Sequence, residues 1–327
     1  MRLFAIVTAA TCLLACSSES DRGPAPEARF QAVTSFDPKA YELAEGLTVH
    51  DGAAYVSLAP LGSIVRVGAD GQRTPYASVP AGYDKGYALG IDFDTEGNLY
   101  VLATRNVDDP AAPTPGIYKI APGGGSATTP FATDPDMKFP NGIAFDGDGS
   151  LLVTDSATGK IFHVGSDGEV DTWSDAPELQ GSTECQLPLP FPIGANGIVV
   201  TPQSVVVTNT SRGALIRIER QSDGSAGSVS TLVGDCRWGG LDGLAQDSDG
   251  SFVVAQNGAP GRVLRIQPSG EVSVLYAGQA ADGPASVAFA ADWNGQRTLL
   301  VTSSAFFSVS MAGASPAPGL GSYGPMP

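Results

Sequence analysis

Short segments in which apolar and polar residues alternate recur along the chain, and six of them follow the same pattern. Aligned on that pattern, the copies begin at Glu45, Leu89, Asn141, Asn196, Asp242 and Ala285. In copies such as NGIAFDGDGSLLVT and DGLAQDSDGSFVVA, two alternating segments flank a tight Asp-Gly turn. This alternation predicts short β-strands, and a glycine-containing turn between two of them predicts a hairpin. We find no competing stretch with the 3.6-residue period of an amphipathic helix.

Each copy continues beyond its hairpin into a third strand, and most copies continue into a fourth. The third strands carry a mostly basic column of residues, namely Arg66, Lys119, His163, Arg217, Arg265 and Ser308. The copies recur at intervals of 43 to 55 residues, which is typical of propeller repeats. We therefore predict an all-β protein with a six-bladed β-propeller over residues 29–312. Arg29 to Phe36 is predicted to supply the outer strand of the sixth blade and to close the ring, and 313–327 to form a Gly/Pro-rich C-terminal tail.

The composition agrees with many short strands and turns. The chain has 41 glycines and 25 prolines, whereas charged residues make up only 16% of it. Hydrophobic residues account for 42% of the 327 residues, which is enough for a core, and a single ring of this length is ordinary. The formal net charge of −16 repels phosphate backbones and argues against nucleic-acid binding.

The first residues have the pattern of a targeting segment. Residues 1–15 read as a secretory signal peptide, because Arg2 precedes a short apolar run that ends at Ala15. The sequence Leu13-Leu14-Ala15-Cys16 resembles a bacterial lipobox, which implies cleavage before Cys16 and lipidation of its thiol. Ordinary signal cleavage at a small residue is the alternative. Residues 16–28 would then be a lipid-anchored flexible tether to the membrane, and the protein would lie outside the cytoplasm, in the periplasm or at the cell surface.

Two of the four cysteines are expected to form a disulfide. Cys12 would leave with the signal peptide, and Cys16 would carry lipid. Cys185 and Cys236 would remain in an oxidising compartment, where a disulfide is favoured. They precede blades four and five, in connections that should run over the same rim.

The first residues of the six copies form another column, the first column, which is more informative. Four members carry side-chain oxygens, namely Glu45, Asn141, Asn196 and Asp242. Equivalent positions in a closed ring face a common axis, so these side chains should converge there. Two carboxylates and two amide oxygens suit a hard divalent cation, with calcium preferred and magnesium, manganese or zinc as alternatives. Asn-Gly and Asp-Gly are also common turn dipeptides, which is the alternative interpretation of any single member.

The same residues carry a resemblance to a known family. Glu45 in AEG, Asn141 in FPNG, Asn196 in ANG and Asp242 in LDGLAQD resemble the motifs of the gluconolactonase/regucalcin (senescence-marker) family of six-bladed propellers. In that family a Glu, an Asn and an Asp that open blades one, four and five hold a divalent metal. The Asn that opens blade three lies close to metal or substrate. The resemblance implies metal-dependent hydrolysis of a lactone or related ester of small size.

One position departs from the family pattern. The family often has an arginine two residues before the blade-three Asn, where it contacts substrate, and this chain has Phe139 there. Lys138 lies one residue further from Asn141. The departure leaves room for a more apolar substrate than a sugar lactone.

The hydrolase hypothesis gives Asp242 the role of general base on water, or of direct nucleophile, while a metal polarises the ester carbonyl. Asn141 would contact substrate as well as metal. Arg105 and Asp155 would reach substrate from the loops that follow the second strands. The alternative is a non-catalytic propeller that binds a partner on its rim and holds a structural metal.

Other residues of these loops have a simpler interpretation as solvated positions. Asn209 and Asn257 lie in equivalent loops, for which a solvated position is the simpler interpretation. The longest loop, Asn106 to Pro115, is a candidate lid. With only two histidines, His50 and His163, the composition argues against a Ser-His-Asp triad.

Overall fold

The computed structural model describes residues 30–82, 85–105, 114–189, 191–258, 260–311 and 313–326, and these form six sheets around a central axis, antiparallel except for one short pair of strands. The predicted fold class, an all-β six-bladed propeller, is confirmed. The predicted signal peptide and tether, residues 1–28, lie outside the described residues. No helix within the described ranges is long and apolar enough to cross a membrane.

The strands of the first three blades follow the sequence repeats. The first strand, β1 (Phe30–Ser35), precedes the six repeats in the chain. Blade one contains β2 (Ala44–His50), β3 (Ala53–Leu58), β4 (Ser63–Val67) and β5 (Arg73–Ser78). Blade two contains β6 (Ala88–Phe93), β7 (Leu99–Ala103) and β8 (Gly116–Ile120), and the short β9 (Gly125–Ser126) pairs in parallel with β5 of blade one. Blade three contains β10 (Pro140–Phe145), β11 (Leu151–Asp155), β12 (Ile161–Val164) and β13 (Val170–Ser174).

The remaining blades complete the ring. Blade four contains β14 (Ala195–Val200), β15 (Ser204–Asn209), β16 (Ala214–Arg220) and β17 (Ala226–Gly234). Blade five contains β18 (Leu241–Gln246), β19 (Phe252–Gln256), β20 (Arg262–Ile266) and β21 (Val272–Ala277). Blade six begins with β22 (Pro284–Trp293) and β23 (Gln296–Ser303), which are followed by the helix α1 (Phe306–Ser310) and β24 (Gly319–Tyr323). Short 3₁₀ helices lie at Pro38–Ala40, Ala59–Leu61, Pro177–Leu179 and Cys236–Trp238.

Blade six closes the ring as predicted, but its third strand lies elsewhere than expected. Its strand order is β22-β23-β24-β1, so Phe30–Ser35 is the outer strand. Ser308, which we assigned to the third strand, is a buried residue of α1. The assignment of 313–327 to a tail is wrong for Gly319–Tyr323, which is the third strand. Its glycines are poor strand formers, but a Cβ at Gly321 would lie 2.2 Å from the Phe30 ring, so a larger residue there would displace that ring.

The hydrophobic core is divided among the six interfaces between neighbouring blades. Each of six buried clusters joins residues of two adjacent blades, and the one that includes Leu47, Trp293 and Leu300 joins blade one to blade six. Because no single blade encloses a core of its own, the ring is stabilised only when all neighbours pack.

The innermost strands approach one another very closely at the axis. The second residue of the repeat is a glycine in five blades, at Gly46, Gly90, Gly142, Gly197 and Gly243. A Cβ on any of them would lie 2.2 to 2.8 Å from the backbone carbonyl oxygen of the residue that opens the repeat in the next blade. None of these glycines has a positive φ, so turn geometry does not require them. They are needed because the neighbouring strands approach each other too closely for a Cβ. The interpretation of Asn-Gly and Asp-Gly as turn dipeptides is therefore wrong at this column.

Side-chain hydroxyls on the second strands join one blade to the next at the same level. Four of them donate to the first-column carbonyl of the following blade, namely Ser57 to Leu89, Thr154 to Asn196, Thr208 to Asp242 and Thr302 to Glu45. Three of the four hydroxyls also accept a hydrogen bond from the backbone N–H of the second residue of the repeat in their own blade. These bonds fix the backbone from which the first-column side chains project.

The close approach yields a stability prediction. Gly142→Ala places a Cβ 2.2 Å from the Asn196 carbonyl oxygen and 2.9 Å from Thr154 Oγ1, so the innermost strands of blades three and four must separate. We expect the free energy of unfolding to fall by at least about 1–3 kcal/mol, as for overpacked cores. Gly147→Ala is the matched control, because nothing lies within 4 Å of its Cβ position. Thermal melting of both variants measures the difference, and equal melting temperatures would contradict the close-approach explanation.

Candidate functional site

A pocket of about 600 Å³ opens at the axis, on the face where the innermost strands begin. All four oxygen-bearing members of the first column line it, namely Glu45, Asn141, Asn196 and Asp242. Leu89 of the same column also lines the pocket. Ala285 does not, and lines instead a smaller space that lies below the pocket on the axis. The predicted convergence of the column at one place in the ring is therefore observed.

An apolar layer lies directly below this polar floor. The third residue of each repeat is aliphatic and lines a space of about 100 Å³ around the axis; these residues are Leu47, Ile91, Ile143, Ile198, Leu244 and Val287. The four polar side chains are therefore bounded by hydrocarbon on the side away from the pocket mouth, which lowers the local dielectric constant.

The two carboxylates of the floor are buried and close enough to repel each other. Glu45 is 8% exposed and Asp242 is 6% exposed. Burial, with the Asp242 charge as the second cause, raises the pKa of Glu45 well above its usual value. Burial raises the pKa of Asp242 to about 7, although hydrogen bonds from Asn257, Asn196 and the Gly243 N–H oppose the shift. Glu45 Oε2 is buried and has no hydrogen-bond partner among the described residues.

The two asparagines are held with their amide nitrogens occupied. The Ser156 hydroxyl donates to the Ala195 carbonyl over 2.8 Å, so it must accept the bond from Asn141 Nδ2 at 3.0 Å. The Thr210 hydroxyl donates to the Leu241 carbonyl over 2.7 Å and accepts from Asn196 Nδ2 at 2.9 Å. This leaves the Oδ1 atoms of both asparagines as acceptors, the form in which an amide binds a hard cation.

Asn257 belongs to the site, although its loop position suggested solvation. Its Nδ2 donates to Asp242 Oδ2 at 3.0 Å, and its side chain lines the pocket. The signal that could have identified it is a further polar column immediately after the second strands: Thr104, Ser156, Thr210, Asn257 and Ser304. Ser156 and Thr210 orient the asparagines from this column, and Asn257 orients Asp242.

Three residues of the predicted pocket rim do not reach the pocket. Asp155 is fully buried, and its carboxylate accepts the backbone N–H groups of Lys138 and Phe139 at 2.7 Å as well as those of the turn that follows it. Asp155 is therefore a structural residue, and its assignment to substrate binding is wrong.

Arg105 lines a separate cavity with Met137 and Lys138, so its assignment to substrate binding is also wrong. Buried Asn209 donates to the carbonyls of Glu178 and Gln180. Of the predicted lid, residues 106–113 lie outside the described residues.

A disulfide fixes one wall of the pocket. Cys185 and Cys236 are bonded, with their Cα atoms 5.1 Å apart, which confirms the predicted pair. The bond joins the connection before β14 to the connection before β18. The first connection places Leu187, Pro188, Leu189 and Ile193 along the pocket, and the second contributes Gly239 and Gly240.

Carboxylates alone do not form a metal cluster in the part of the chain that the structure describes. Among the described residues, no group of three or more His, Cys, Asp or Glu side chains is placed to hold a metal ion. A cation at the floor would therefore need the amide oxygens of Asn141 and Asn196 in addition to the two carboxylates. This ligand set is ordinary for calcium, which accepts amide and carboxylate oxygens together.

Comparison with solved structures supports the architecture. A luciferin-regenerating enzyme superposes with a TM-score of 0.63 at 15% identity, covering 90% of this chain and 94% of that one. Regucalcin from Agrobacterium tumefaciens, described as a calcium-binding protein, gives 0.62 at 16% identity, with 90% and 92% covered. A gluconolactonase from Xanthomonas campestris gives 0.63 at 14% identity, with 91% and 89% covered. No family model matches the sequence, and no curated protein matches it either.

The fold and the site define a six-bladed propeller with an acid and amide cluster at the axial end of a pocket. Its structural neighbours include gluconolactonase and regucalcin proteins, as the sequence resemblance implied. At identities of 14 to 16%, the likeness establishes the shared fold.

The disulfide yields the second prediction. Replacing both Cys185 and Cys236 by serine releases a loop of 51 residues and should lower the free energy of unfolding by about 4 kcal/mol, from the loop-closure entropy of the unfolded chain. Thermal melting measures the loss, and a non-reducing peptide map checks the bond itself. A map in which peptides with Cys185 and Cys236 separate without reductant would contradict the assignment.

Proposed function

We propose that the protein is a metal-dependent hydrolase of a lactone or related ester, with Glu45, Asn141, Asn196 and Asp242 as the ligands of one divalent cation, calcium by preference. The observation that carries the proposal is the buried Glu45 Oε2, which lacks a hydrogen-bond partner among the described residues and faces a second buried carboxylate. Such an arrangement is costly unless a positive charge compensates it.

The residues present fit a cation well. Among the described residues that line the pocket, there is no Lys, Arg or His side chain that could neutralise Glu45 and Asp242. The asparagine Oδ1 atoms are left available because their amide nitrogens are held by Ser156 and Thr210. Two negative and two neutral oxygen ligands match the preference of calcium.

A bound cation would supply Lewis-acid polarisation of a substrate carbonyl. Asp242 would accept a proton from the attacking water at the carboxylate oxygen that does not bind the cation. Asn257 holds the Asp242 carboxylate in one orientation through the 3.0 Å bond to Oδ2. Asn141 would contact the substrate at the same floor, and the apolar layer beneath it would exclude bulk water from that side.

The shape of the pocket supports a small-molecule substrate. Its volume of about 600 Å³ falls in the range of pockets that enclose small ligands. The gluconolactonase and regucalcin neighbours support an enzyme of lactonase type. The disulfide is typical of oxidising compartments and supports the proposed location outside the cytoplasm.

The third prediction is a reversal of stability with metal. Without divalent cations, the raised pKa of Glu45 means that this buried carboxyl destabilises the fold at neutral pH, so Glu45→Gln should melt at a higher temperature than the parent. With excess calcium, the parent gains binding free energy that the variant lacks, and the order should reverse. Melting curves in chelator and in calcium measure both cases.

Asp92→Asn is the matched control for this experiment. Asp92 is also a carboxylate on an innermost strand, where it accepts from Thr48 Oγ1 and the Phe93 N–H, but it does not line the pocket. Its replacement should shift the melting temperature equally in both conditions. A Glu45→Gln variant that keeps the same order in chelator and in calcium would contradict the metal assignment.

The fourth prediction concerns the base. Asp242→Asn keeps the shape of the side chain and one ligand oxygen but removes the base, so turnover should fall by at least about a hundredfold while the fold persists. Asn141→Ala removes a neutral ligand, so excess metal should partly restore its activity.

Initial rates on a panel of lactones and aryl esters, together with circular dichroism, measure these effects. Parental turnover in Asp242→Asn would refute its role as base. If the parent hydrolyses no lactone or ester with any divalent metal, the non-catalytic propeller with a structural metal becomes the better account.

A further inference from the structure

We infer that the substrate is a neutral lactone or ester with an alkyl or aromatic group, and not a polyhydroxylated sugar lactone. This rests on the proposed function, because it names the substrate class of the same pocket. It is carried by how polar and apolar groups are distributed between the pocket floor and the pocket wall.

Charged groups are confined to the floor. Of the described residues that line the pocket, only Glu45 and Asp242 carry a charge. A divalent cation held by these two carboxylates would leave the floor without net charge. The nearby basic residues Arg105 and Lys138 line a different cavity. The pocket therefore offers no cationic partner to a charged carboxylate or phosphate on a substrate, and a neutral molecule fits it best.

The wall offers few side-chain hydrogen-bonding groups. Among the described residues most of its side chains are hydrocarbon, namely Leu89, Phe139, Leu187, Leu189, Ile193, Phe306, Phe307 and Met311, and its hydroxyls are those of Tyr87 and Ser310. The Ser310 hydroxyl already donates to the Phe307 carbonyl at 2.9 Å, which leaves the Tyr87 hydroxyl as the main polar group of the wall. A sugar lactone would lose the water around several hydroxyls and gain few partners here, and burying unpaired polar groups is unfavourable. Hydrocarbon would gain from the same burial.

The wall is held in place by contacts of its own. The Tyr87 and Phe306 rings meet edge to face with centroids 6.2 Å apart, and Phe139 meets Phe191 in the same way at 5.3 Å. The helix α1 is tied down by Asp282, whose Oδ2 accepts from the Ser308 hydroxyl and from the Ala317 N–H. The disulfide restrains the part of the wall that Leu187, Leu189 and Ile193 form. An apolar surface that is already formed before binding selects for apolar groups without an ordering cost.

Kinetics on a homologous series of alkyl δ-lactones tests this inference, with gluconolactone as the hydroxylated comparator. We expect kcat/KM to rise about fourfold for each methylene added until the pocket is filled, since each buried methylene contributes a constant increment. Gluconolactone should be hydrolysed less efficiently than every alkyl member. A flat series, or a preference for gluconolactone, would overturn the inference.

A pair of variants on the same helix localises the effect. Phe306 lines the pocket, so Phe306→Ala should reduce the increment per methylene. Val309 is 39% exposed and does not line the pocket, so Val309→Ala should leave the whole series unchanged. Equal responses of the two variants would contradict an apolar binding wall at this place.

Calorimetry with alkyl-substituted cyclohexanones, which cannot be hydrolysed, separates this inference from the proposed function. Affinity that rises with chain length and falls in Phe306→Ala supports the apolar class even if no lactone is turned over, in which case the hydrolase proposal alone fails. Lactone hydrolysis that does not depend on chain length, together with no cyclohexanone binding, would leave the hydrolase proposal intact and overturn the apolar class.

Discussion

The six innermost strands lie so close to the axis that five of the six blades place a glycine at the second position of the repeat. A Cβ there would meet the carbonyl oxygen of the neighbouring strand at 2.2 to 2.8 Å. The hydroxyls of Ser57, Thr154, Thr208 and Thr302 then bridge to the same carbonyls. Because the backbone is fixed on both sides of the first column, its side chains have little freedom other than to face the axis. The candidate site is a consequence of this packing.

The same packing places two buried carboxylates together, an arrangement that the proposed cation would compensate. Glu45 and Asp242 are brought together above an apolar layer, and burial raises the pKa of both. Asn257, Asn196 and the Gly243 N–H stabilise the charge on Asp242, but Glu45 Oε2 has no such partner among the described residues. Such a buried polar atom without a partner calls for an explanation. The proposed divalent cation would provide one, with the four side-chain oxygens of the first column as its donors.

Much of the fold and the core of the site could be predicted, because both follow from a repeat. Aligned copies show which residue opens each blade, and ring closure implies that these residues meet. The rest depended on information outside the repeat. The third strand of blade six uses Gly319–Tyr323, which has weak strand propensity and is stabilised only by pairing with β1 and β23. Asp155 is the last residue of one second strand and Asn257 is the first residue after another, yet Asp155 accepts from backbone amides whereas Asn257 donates to Asp242.

The most direct test of the account is a crystal structure of the protein grown in calcium. If these residues bind one calcium ion, a single strong density peak should lie on the axis at the pocket floor. Oxygens of Glu45, Asn141, Asn196 and Asp242 should lie about 2.3–2.6 Å from it. Glu45 Oε2 would then be a ligand, and Asn257 would still hold Asp242. A structure in which these four side chains surround only water at saturating calcium would contradict the central claim.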